Sequence, residues 1–412
     1  MANNINTLKN APGVIAKAAA AMLADKCQFA KSIDQADQSD YDGKNGYNAG
    51  DTIYISKPAR FIPGTTADIT STIQDVAEEK VALTLDERQV VGIELTSAEI
   101  AHDMALKSWM NRVLEPAVSS IAQHIEKSFL EKAQDATFNA VGTPGSTVYD
   151  TDLMLSAQQK INESACPDFD NRFALLSPSA SRSAVNARKG LFQSSDEVSK
   201  QYKAGAMGIA DGFTYLQNNL LPTHTNGNDV VFEVRTTVST EGQSTLVVEG
   251  LTANTGTVTK GTVFTVATVY AVHPITKETL PHLKQFVVTA DATADANGYA
   301  TLSIAEPMYT SASKGLQNIS AFPADGDAIT PIGAASTGYG QSLVFHKSAF
   351  RMVSVPLVKP EGLDMAAQET HEGFTIRVAR DYDILTDKLI MRLDFLGGIA
   401  ATRPEWACRI YS

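Results

Sequence analysis

The stretch from Leu95 to Asn139 decides how the rest of the chain is interpreted: LTSAEIAHDMALKSWMNRVLEPAVSSIAQHIEKSFLEKAQDATFN. Thr96 or Ser97 can cap a helix here, because a hydroxyl accepts from free backbone N–H groups and Glu99 can reach back. A continuous helix would extend for about 65 Å. Pro116 lies mid-way, where its missing N–H and its ring predict a bend or a break. The apolar residues recur at the spacing of an amphipathic helix, at Ile100, Met104, Trp109, Val113, Val118, Ile121, Ile125 and Phe129.

This pattern predicts either one long bent helix or two helices in line. A helix of that length is more typical of an extended, flat molecule than of a compact enzyme. We expect the stripe that contains Trp109 and Ile121 to pack against the closing strands near 374–395.

Two predicted strands precede this helix. Residues 51–57 alternate and contain β-branched side chains, and a second apolar run extends from Lys80 to Leu95. Between them, about twenty residues rich in Thr, Asp and Pro form a loop that is long enough to project from the body. Residues 1–50 are a predicted arm: a short Ala-rich helix from about Pro12 to Phe29 leads into a polar segment that cannot fold alone. Such an arm lies on a neighbour or on the body of the protein.

The segment that follows the long helix alternates helices with short strands. Asp150 or Thr151 can cap a helix over 149–166, a buried strand over 172–178 ends at Pro178, and a further helix opens at Ser179. This alternation is typical of an α+β or α/β body. The predicted strands near the end of the sequence are 343–346, 350–356, a hairpin of 374–382 and 387–395 with its turn at Asp383, and a last strand 406–411 after Gly397-Gly398.

Helical periodicity is absent from residues 228–332, where Val, Thr, Gly and Asn dominate. Asn297-Gly298 is the strongest turn signal there and predicts a type I′ hairpin turn. Short strands with regular turns make a small barrel or sandwich. Because the elements on both sides belong to one α+β body, we interpret these residues as an inserted domain. Its predicted strands are 230–234, 245–251, 263–272, 285–290 and 300–305.

Composition excludes several classes of protein. The 412 residues are 43% hydrophobic and 19% charged, as in globular proteins, and the net charge of −12 argues against tight wrapping of nucleic acid. This net charge does not exclude a protein surface that faces DNA without binding it. Cys27, Cys166 and Cys408 are far apart, which indicates free thiols in a reducing compartment. The Ala-rich run at 14–24 is interrupted by Lys17, so we expect neither a secretion signal nor a membrane span, and a protein made in a cytoplasm.

Catalytic motifs are absent from the sequence. It contains no phosphate loop, dinucleotide fingerprint, HExxH or GxSxG, and its seven histidines are dispersed. His273 and His282 flank a predicted strand end, where solvated loop histidines are favoured over a metal pair, and His371-Glu372-Gly373 is a predicted turn. Residues 291–298 resemble a calcium loop but place Ile304 where a carboxylate should stand, so the hairpin is favoured. We expect no enzyme and no catalytic, cofactor-binding or metal-binding residues.

The charged residues Glu78, Glu79 and Lys80 lie at the foot of the long loop. A solvated face is the simpler interpretation. In a protein built to assemble, the same loop could instead meet a basic patch on a neighbour.

The order arm, projecting loop, strand, long helix, α+β body with inserted β domain and closing strands resembles that of the major capsid proteins of tailed double-stranded-DNA phages, which have the Hong Kong 97-type fold. In detail it is similar to the coat proteins of short-tailed phages that carry an inserted β-barrel. The local similarities are GDTIYI at 50–55 with VVGIEL at 90–95, QYKAG at 201–205 with IADGF at 209–213, and ATRPE at 401–405. Within the insertion, only the strands correspond.

The resemblance implies a domain organisation. It comprises an N-terminal arm (1–50), an E-loop with flanking strands (51–94), a spine helix of the peripheral domain (95–144), an axial domain in two parts (145–227 and 333–355), an inserted β-barrel or sandwich (228–332), and closing strands of the peripheral and axial body (356–412).

The resemblance also implies partners. Copies of the chain would form pentamers and hexamers of an icosahedral shell, assembled in the host cytoplasm around a scaffolding protein and with a portal protein. The shell would then expand as DNA is packaged, giving a virion whose DNA is bound without sequence specificity. Flexible arms and loops can make the quasi-equivalent contacts while the helical body stays rigid. Two alternatives stay open: the shell protein of a cellular nanocompartment, and a multidomain virion-surface binding protein.

Overall fold

The computed structural model describes residues 11–35, 49–57, 73, 80–96, 110–146, 148–167, 170–188, 208–311, 315–360, 362–363, 365–384 and 388–411. These form two compact units. The first unit comprises the described residues within 1–55, 81–130 and 350–400, and the second unit those within 56–80, 131–349 and 401–412. The predicted projecting loop falls almost wholly outside the described residues, as does Trp109.

The described part of the chain contains these α-helices: α1 (Ala11–Lys26), α2 (Gln28–Ser32), α3 (Glu115–Ala136), α4 (Thr151–Glu163) and α5 (Pro178–Arg188). A π-helical turn, Met110–Leu114, precedes α3, and 3₁₀ turns occupy Lys347–Ala349 and Pro404–Trp406.

The described strands are β1 (Asp34–Gln35), β2 (Thr52–Ser56), β3 (Lys80–Thr84), β4 (Glu87–Thr96), β5 (Ala140–Val141), β6 (Arg172–Leu176), β7 (Ile209–Ala210), β8 (Phe213–Gln217), β9 (Thr223–Thr225), β10 (Phe232–Val234), β11 (Gln243–Glu249), β12 (Thr257–Val258), β13 (Val263–Val272), β14 (Thr279–Val287), β15 (Ala292–Thr293), β16 (Ala300–Met308), β17 (Ala328–Pro331), β18 (Gly338–His346), β19 (Phe350–Ser354), β20 (Met365–His371), β21 (Phe374–Asp383), β22 (Lys388–Ala401) and β23 (Ala407–Tyr411).

The first unit is organised around a six-stranded sheet in the order β1-β19-β22-β21-β20, with β4 paired to β22. The helix α1 packs on β20 and β21. The strands β2 and β3 form a separate two-stranded ribbon, whose buried Ile53 and Leu83 belong to one apolar cluster with Val353 and Leu396. The two strands of the predicted hairpin are confirmed, but the turn does not lie at Asp383, which is the last residue of β21 and pairs with the first residue of β22.

The predicted start of the long helix is wrong by its first two residues. Leu95 and Thr96 are the last residues of β4, where they pair with Leu389 and Lys388 of β22. The backbone hydrogen bonds to the long strand β22 outweigh the helix-capping preference of Thr96. This stabilisation comes from a strand distant in the sequence, so local helix propensity does not predict it. Residues 97–109 lie outside the described residues, so the stripe is tested only from residue 110 onward.

The bend or break expected at Pro116 stays a prediction, but the type of helix changes just before this residue. The π-helical turn ends at Leu114 and the regular α-helix starts at Glu115, which places Pro116 in the first turn of α3. Proline has no N–H to donate and its ring crowds the preceding turn, and the wider π-helical turn lies directly before it in the chain. The helix ends at Ala136, before the predicted Asn139.

Gly397 and Gly398 lie inside β22 and are not the break that the sequence predicts before a last strand. A Cβ on Gly397 would stand 2.8 Å from the Val353 carbonyl oxygen, and a Cβ on Gly398 would overlap the Thr84 carbonyl oxygen. These glycines therefore allow close approach of neighbouring backbones within a strand.

The second unit contains a seven-stranded sheet in the order β5-β23-β18-β6-β8-β7, with β9 paired to β18. The helix α4 begins as predicted: Asp150 accepts a hydrogen bond of 2.9 Å from the Leu153 N–H. Met154 and Ile161 of α4 pack with Leu176 of β6 and Ile410 of β23 in one buried cluster. The predicted strand over 172–178 and the helix after it are confirmed.

The described strands between Phe232 and Pro331 form a β-barrel. Their sheet has the order β14-β13-β17-β10-β11-β16, and its two ends meet where Val288 bridges to Ile304 and the Thr289 N–H donates to the Ser303 carbonyl. Val248, Val266 and Leu302 are among its buried core residues. The predicted strand over 263–272 is confirmed residue for residue, whereas the one predicted over 285–290 begins at Thr279 and ends at Val287. The boundaries of an inserted domain stay a prediction.

Candidate functional site

The structure gives the contacts of the residues that the sequence analysis considered as possible catalytic or metal-binding residues. The His273 ring nitrogen Nδ1 accepts from the backbone of Ile275 and Thr276, and His282 lies 3.6 Å from Glu163. All three cysteines are free thiols, as predicted. In the described part of the chain, no group of three or more His, Cys, Asp or Glu side chains is placed to hold a metal ion. Glu78 and Glu79 lie outside the described residues, and Lys80 is exposed.

The loop at Asn297-Gly298 is not the predicted type I′ turn. Gly298 has a φ of 79°, but Asn297 is not among the residues with positive φ. The Asp295 carboxylate instead accepts from the N–H groups of Asn297 and Tyr299, and these hydrogen bonds lower the pKa of Asp295. The carboxylate is therefore engaged by its own loop.

A two-residue turn with positive φ at both positions occurs elsewhere, at Glu372 (46°) and Gly373 (79°), between the paired residues His371 and Phe374. This is the backbone that a type I′ turn requires. The predicted turn at His371-Glu372-Gly373 is confirmed.

A buried polar site of the second unit surrounds Arg409, whose side chain is fully buried in β23. Its Nε donates to the Thr137 carbonyl at 2.7 Å, and its Nη1 donates to the Gly261 carbonyl at 2.8 Å and to the Gln341 Oε1 at 3.4 Å. We call these four residues the Arg409 junction. It joins the end of the long helix, the barrel and two strands of the seven-stranded sheet.

Gly261 is required where it lies in this junction. Its φ is +84°, and a Cβ would stand 2.7 Å from Asp135 Oδ1 and 3.2 Å from His224 Nδ1. Only glycine combines this backbone conformation with such close approach. The barrel backbone can therefore present its carbonyl oxygen directly to Arg409.

Burial at the Arg409 junction shifts the pKa values of its titratable groups. The pKa of His224 is lowered to about 4 by burial and by the nearby Arg409 guanidinium. Burial also lowers the pKa of Arg409 itself, although Tyr411 and Asp135 oppose the shift. Asp135 forms an ion pair of 2.9 Å with Lys260. At neutral pH the site therefore holds an uncharged histidine beside a charged arginine.

A polar cleft lies between α4 and the barrel strands of the second unit. Glu163 of α4 faces His282 of β14, and Lys284 of β14 forms an ion pair of 2.6 Å with Glu306 of β16. Burial, followed by the nearby Lys160, lowers the pKa of His282. Oppositely charged groups paired across neighbouring elements contribute to packing, and this arrangement lacks the nucleophile–base alignment of a catalytic site.

The first unit has its own buried polar network. Asp394 of β22 is fully buried and accepts from Arg377 Nε at 3.0 Å and Nη2 at 2.5 Å, while its other oxygen accepts from Arg392 Nε at 2.7 Å. The Arg377 Nη1 donates to the Val358 carbonyl. One carboxylate thus joins two arginines on adjacent strands.

A second buried carboxylate holds the N-terminal helices in the same unit. Glu126 of α3 accepts from the backbone N–H groups of Phe29 at 2.5 Å and Ala30 at 3.4 Å, in the first turn of α2. Phe29 also meets Phe350 edge-on. Residues 11–35 of the predicted arm therefore pack on the first unit of this chain.

Sequence reasoning missed Arg409, Asp394 and Glu126. A signal was present for the first two, because each is a charged residue inside an otherwise apolar strand: ACRIY at 407–411 and RLDFL at 392–396. Charged side chains are seldom fully buried unless they are paired.

A family model described as "P22 coat protein - gene protein 5" matches residues 4–409. The chain belongs to the P22 coat protein family. It is a structural, shell-forming protein of a phage capsid, and its location is the virion. The recognition made from the sequence is therefore confirmed, and so is the mixed α+β fold class. The domain organisation that the Hong Kong 97-type resemblance implies stays a prediction.

Similar proteins are also phage capsid proteins. The major capsid protein of Acyrthosiphon pisum secondary endosymbiont phage 1 is 22% identical over 424 residues, which cover 98% of both chains. The capsid of Ralstonia phage GP4 aligns over 92% of this coat protein and 87% of that chain, with 7% identity and a TM-score of 0.45. The capsid of Cyanophage P-SCSP1u aligns over 89% and 85%, with 12% identity and a TM-score of 0.43. Among the described helices of this coat protein, none has the length and apolar character to span a membrane.

Proposed function

We propose that many copies of this chain, as pentamers and hexamers, close into an icosahedral shell around packaged double-stranded DNA. The observation that carries the proposal is the family match, which extends over residues 4–409. It includes both compact units and the barrel, so the whole chain corresponds to a coat subunit.

Assembly in the host cytoplasm around a scaffolding protein, with a portal protein and a later expansion, belongs to the same proposal. One sequence has to make quasi-equivalent contacts in such a shell. The domain division expected from the sequence supports this. Buried apolar residues anchor the ribbon of β2 and β3 at the foot of the proposed E-loop, and the strands of the proposed inserted domain close on one another as a barrel.

The charge of the chain suits a container for DNA. A net charge of −12 disfavours strong attraction to the phosphate backbone, so packaged DNA can move without sequence-specific binding. Within the described residues, the polar clusters form packing and ion-pair networks. We therefore propose that the protein is not an enzyme and needs no cofactor.

The test is to express the full chain with and without its scaffolding protein and to image the products by electron microscopy. The expected result is closed shells of uniform size when the scaffold is present. Discrete monomers under all conditions, with no megadalton assembly, would contradict the proposal. A shell that carries an enzyme cargo instead of DNA would identify a cellular nanocompartment.

Deletion of residues 60–78 tests the proposed role of the E-loop. We expect a subunit that keeps its far-UV circular dichroism but does not sediment as normal shells. Normal shells from the truncated chain would show that the loop does not have this role.

A further inference from the structure

Lys160 of α4 is a basic side chain of the polar cleft that has no ion-pair partner. The cleft has a volume of about 60 Å³ and is lined by side chains of α4, β14 and β16, among them Lys160, Glu163, His282 and Lys284. Lys284 is held by its ion pair with Glu306. In the part of the chain that the structure describes, no carboxylate forms an ion pair or a hydrogen bond with the Lys160 amine. This amine is therefore available to a reagent that enters the cleft.

The surroundings of Lys160 favour its neutral amine. Burial lowers the pKa of Lys160. The positive charge of Lys284 lowers it further, whereas Glu163 and Cys408 oppose the shift. A lysine that is partly desolvated beside a second cation has a larger share of the neutral form, and only that form has the free electron pair of a nucleophile. The other titratable groups that line the cleft are His282, Glu306 and Glu405.

Two lysines of the first unit have the opposite surroundings. Lys31 forms an ion pair of 2.7 Å with Glu372, and Lys388 forms one of 2.6 Å with Glu94. Each carboxylate accepts a hydrogen bond from its lysine and raises the pKa of that lysine. These two side chains are 49% and 39% exposed, whereas Lys160 is half-buried. Accessibility and basicity therefore predict opposite orders of reactivity for these lysines.

We propose that Lys160 is a modification site, whose amine is acylated by small activated acyl donors of the acyl phosphate class. The amine nitrogen attacks the carbonyl carbon, an N–C bond forms, and the bond between that carbon and the phosphate oxygen breaks. Phosphate leaves, the amine loses one proton to solvent, and an uncharged amide remains. The reaction consumes the lysine once and is not turnover, so it does not need the aligned base of a catalytic site. The volume of the cleft favours a short acyl group over a long one.

The test treats the folded full-length chain with acetyl phosphate and follows each lysine by mass spectrometry of its peptides. At neutral pH, the rate constant for acetylation of Lys160 is expected to be several-fold higher than those of Lys31 and Lys388. The rate at Lys160 should also level off at a lower pH than the rates at the other two, because its amine loses its proton more easily. Acetylation of Lys160 at a rate equal to or below that of Lys31 would overturn the proposal.

The same reaction in urea removes the folded surroundings of Lys160. Its advantage over Lys31 and Lys388 should then disappear. An advantage that persists in the unfolded chain would come from the local sequence and not from the cleft, and this result would also contradict the proposal.

Two variants locate the effect. Lys284→Gln removes the neighbouring cation that lowers the pKa of Lys160, so the rate constant for acetylation of Lys160 at neutral pH should fall several-fold. Lys260→Gln is the matched control, because it also removes a lysine from an ion pair, the one of 2.9 Å with Asp135, and Lys260 does not line the cleft. Equal acetylation of Lys160 in both variants would show that the cleft does not activate it. None of these outcomes bears on whether the chain forms shells.

Discussion

Each of the two compact units buries an arginine against a sheet, but they balance its charge in different ways. In the first unit, Arg377 meets the fully buried Asp394, which also binds Arg392. In the second unit, Arg409 donates only to carbonyl and amide oxygen atoms. The first network depends on charge neutralisation, and the second depends on where three separate backbone segments place their oxygen atoms.

This difference predicts how each site fails. Removing one partner of a buried ion pair leaves an uncompensated charge, which is more costly than the pair is worth. Removing a buried cation that has neutral partners leaves carbonyl oxygens without donors but also eliminates a charge. The charge network should therefore be the more sensitive of the two to a single substitution.

Asp394→Ala should have the largest effect. It leaves the guanidinium of Arg377, which is 9% exposed, without its carboxylate and should lower the free energy of unfolding by about 3–5 kcal/mol. Urea denaturation of the full chain, followed by far-UV circular dichroism, measures this change. Glu94→Ala is the control, because the ion pair of Glu94 with Lys388 is exposed and its loss should leave the midpoint unchanged. Equal losses in the two variants would refute the charge-based account.

Arg409→Met should have a smaller effect, about 2–3 kcal/mol in the same measurement. The apolar side chain retains much of the packing volume and removes the buried charge, but the carbonyl oxygens of Thr137 and Gly261 lose their donor. A loss as large as that of Asp394→Ala would mean that the two sites do not differ in the way described.

Gly261→Ala tests whether backbone position controls the Arg409 junction. We expect a loss of about 2 kcal/mol, because the new Cβ combines a positive φ with contact to Asp135 and His224. Gly326→Ala is a matched control with a similar φ of +81° and open space around its Cβ, so it should cost only about 1 kcal/mol. If both variants lost the same amount, close approach at Gly261 would have no energetic role.

Acid should weaken the second unit through His224, with the smallest effect of the series. The pKa of His224 falls from 6.5 to about 4 on folding, so the unfolded chain binds a proton that the folded chain does not. Stability is therefore complete above pH 6.5 and decreases as the pH is lowered toward 4, by at most about 1.4 kcal/mol for each pH unit. In His224→Asn, the denaturation midpoint should depend less steeply on pH over this range. An unchanged pH dependence would exclude His224 as the titrating group.

Local signals in the sequence predicted local structure well. The strand Val263–Val272 is recognisable from β-branched residues, and the cap at Asp150 from a carboxylate beside an amphipathic helix. The type of each helix or strand is also a local property, because it is specified by the periodicity of its own residues.

The errors share a physical cause. Leu95 and Thr96 became strand because β22 offers them backbone partners, and Gly397-Gly398 became strand because neighbouring backbones need the space. The type I′ backbone formed at Glu372-Gly373, where the register of β20 and β21 leaves two residues to turn, and not at Asn297-Gly298. Each outcome depends on residues distant in sequence.

The sequence by itself determined the α+β class, the helix that ends near residue 136 and the free cysteines, because periodicity and composition act over short distances. Only the tertiary structure decided that the strands of 232–331 close into a barrel, and that two arginines share the Asp394 carboxylate while Arg409 meets neutral oxygens. A charged side chain in an apolar strand indicates burial. Its partners come from segments far away in the chain, and only folding brings them within hydrogen-bond distance.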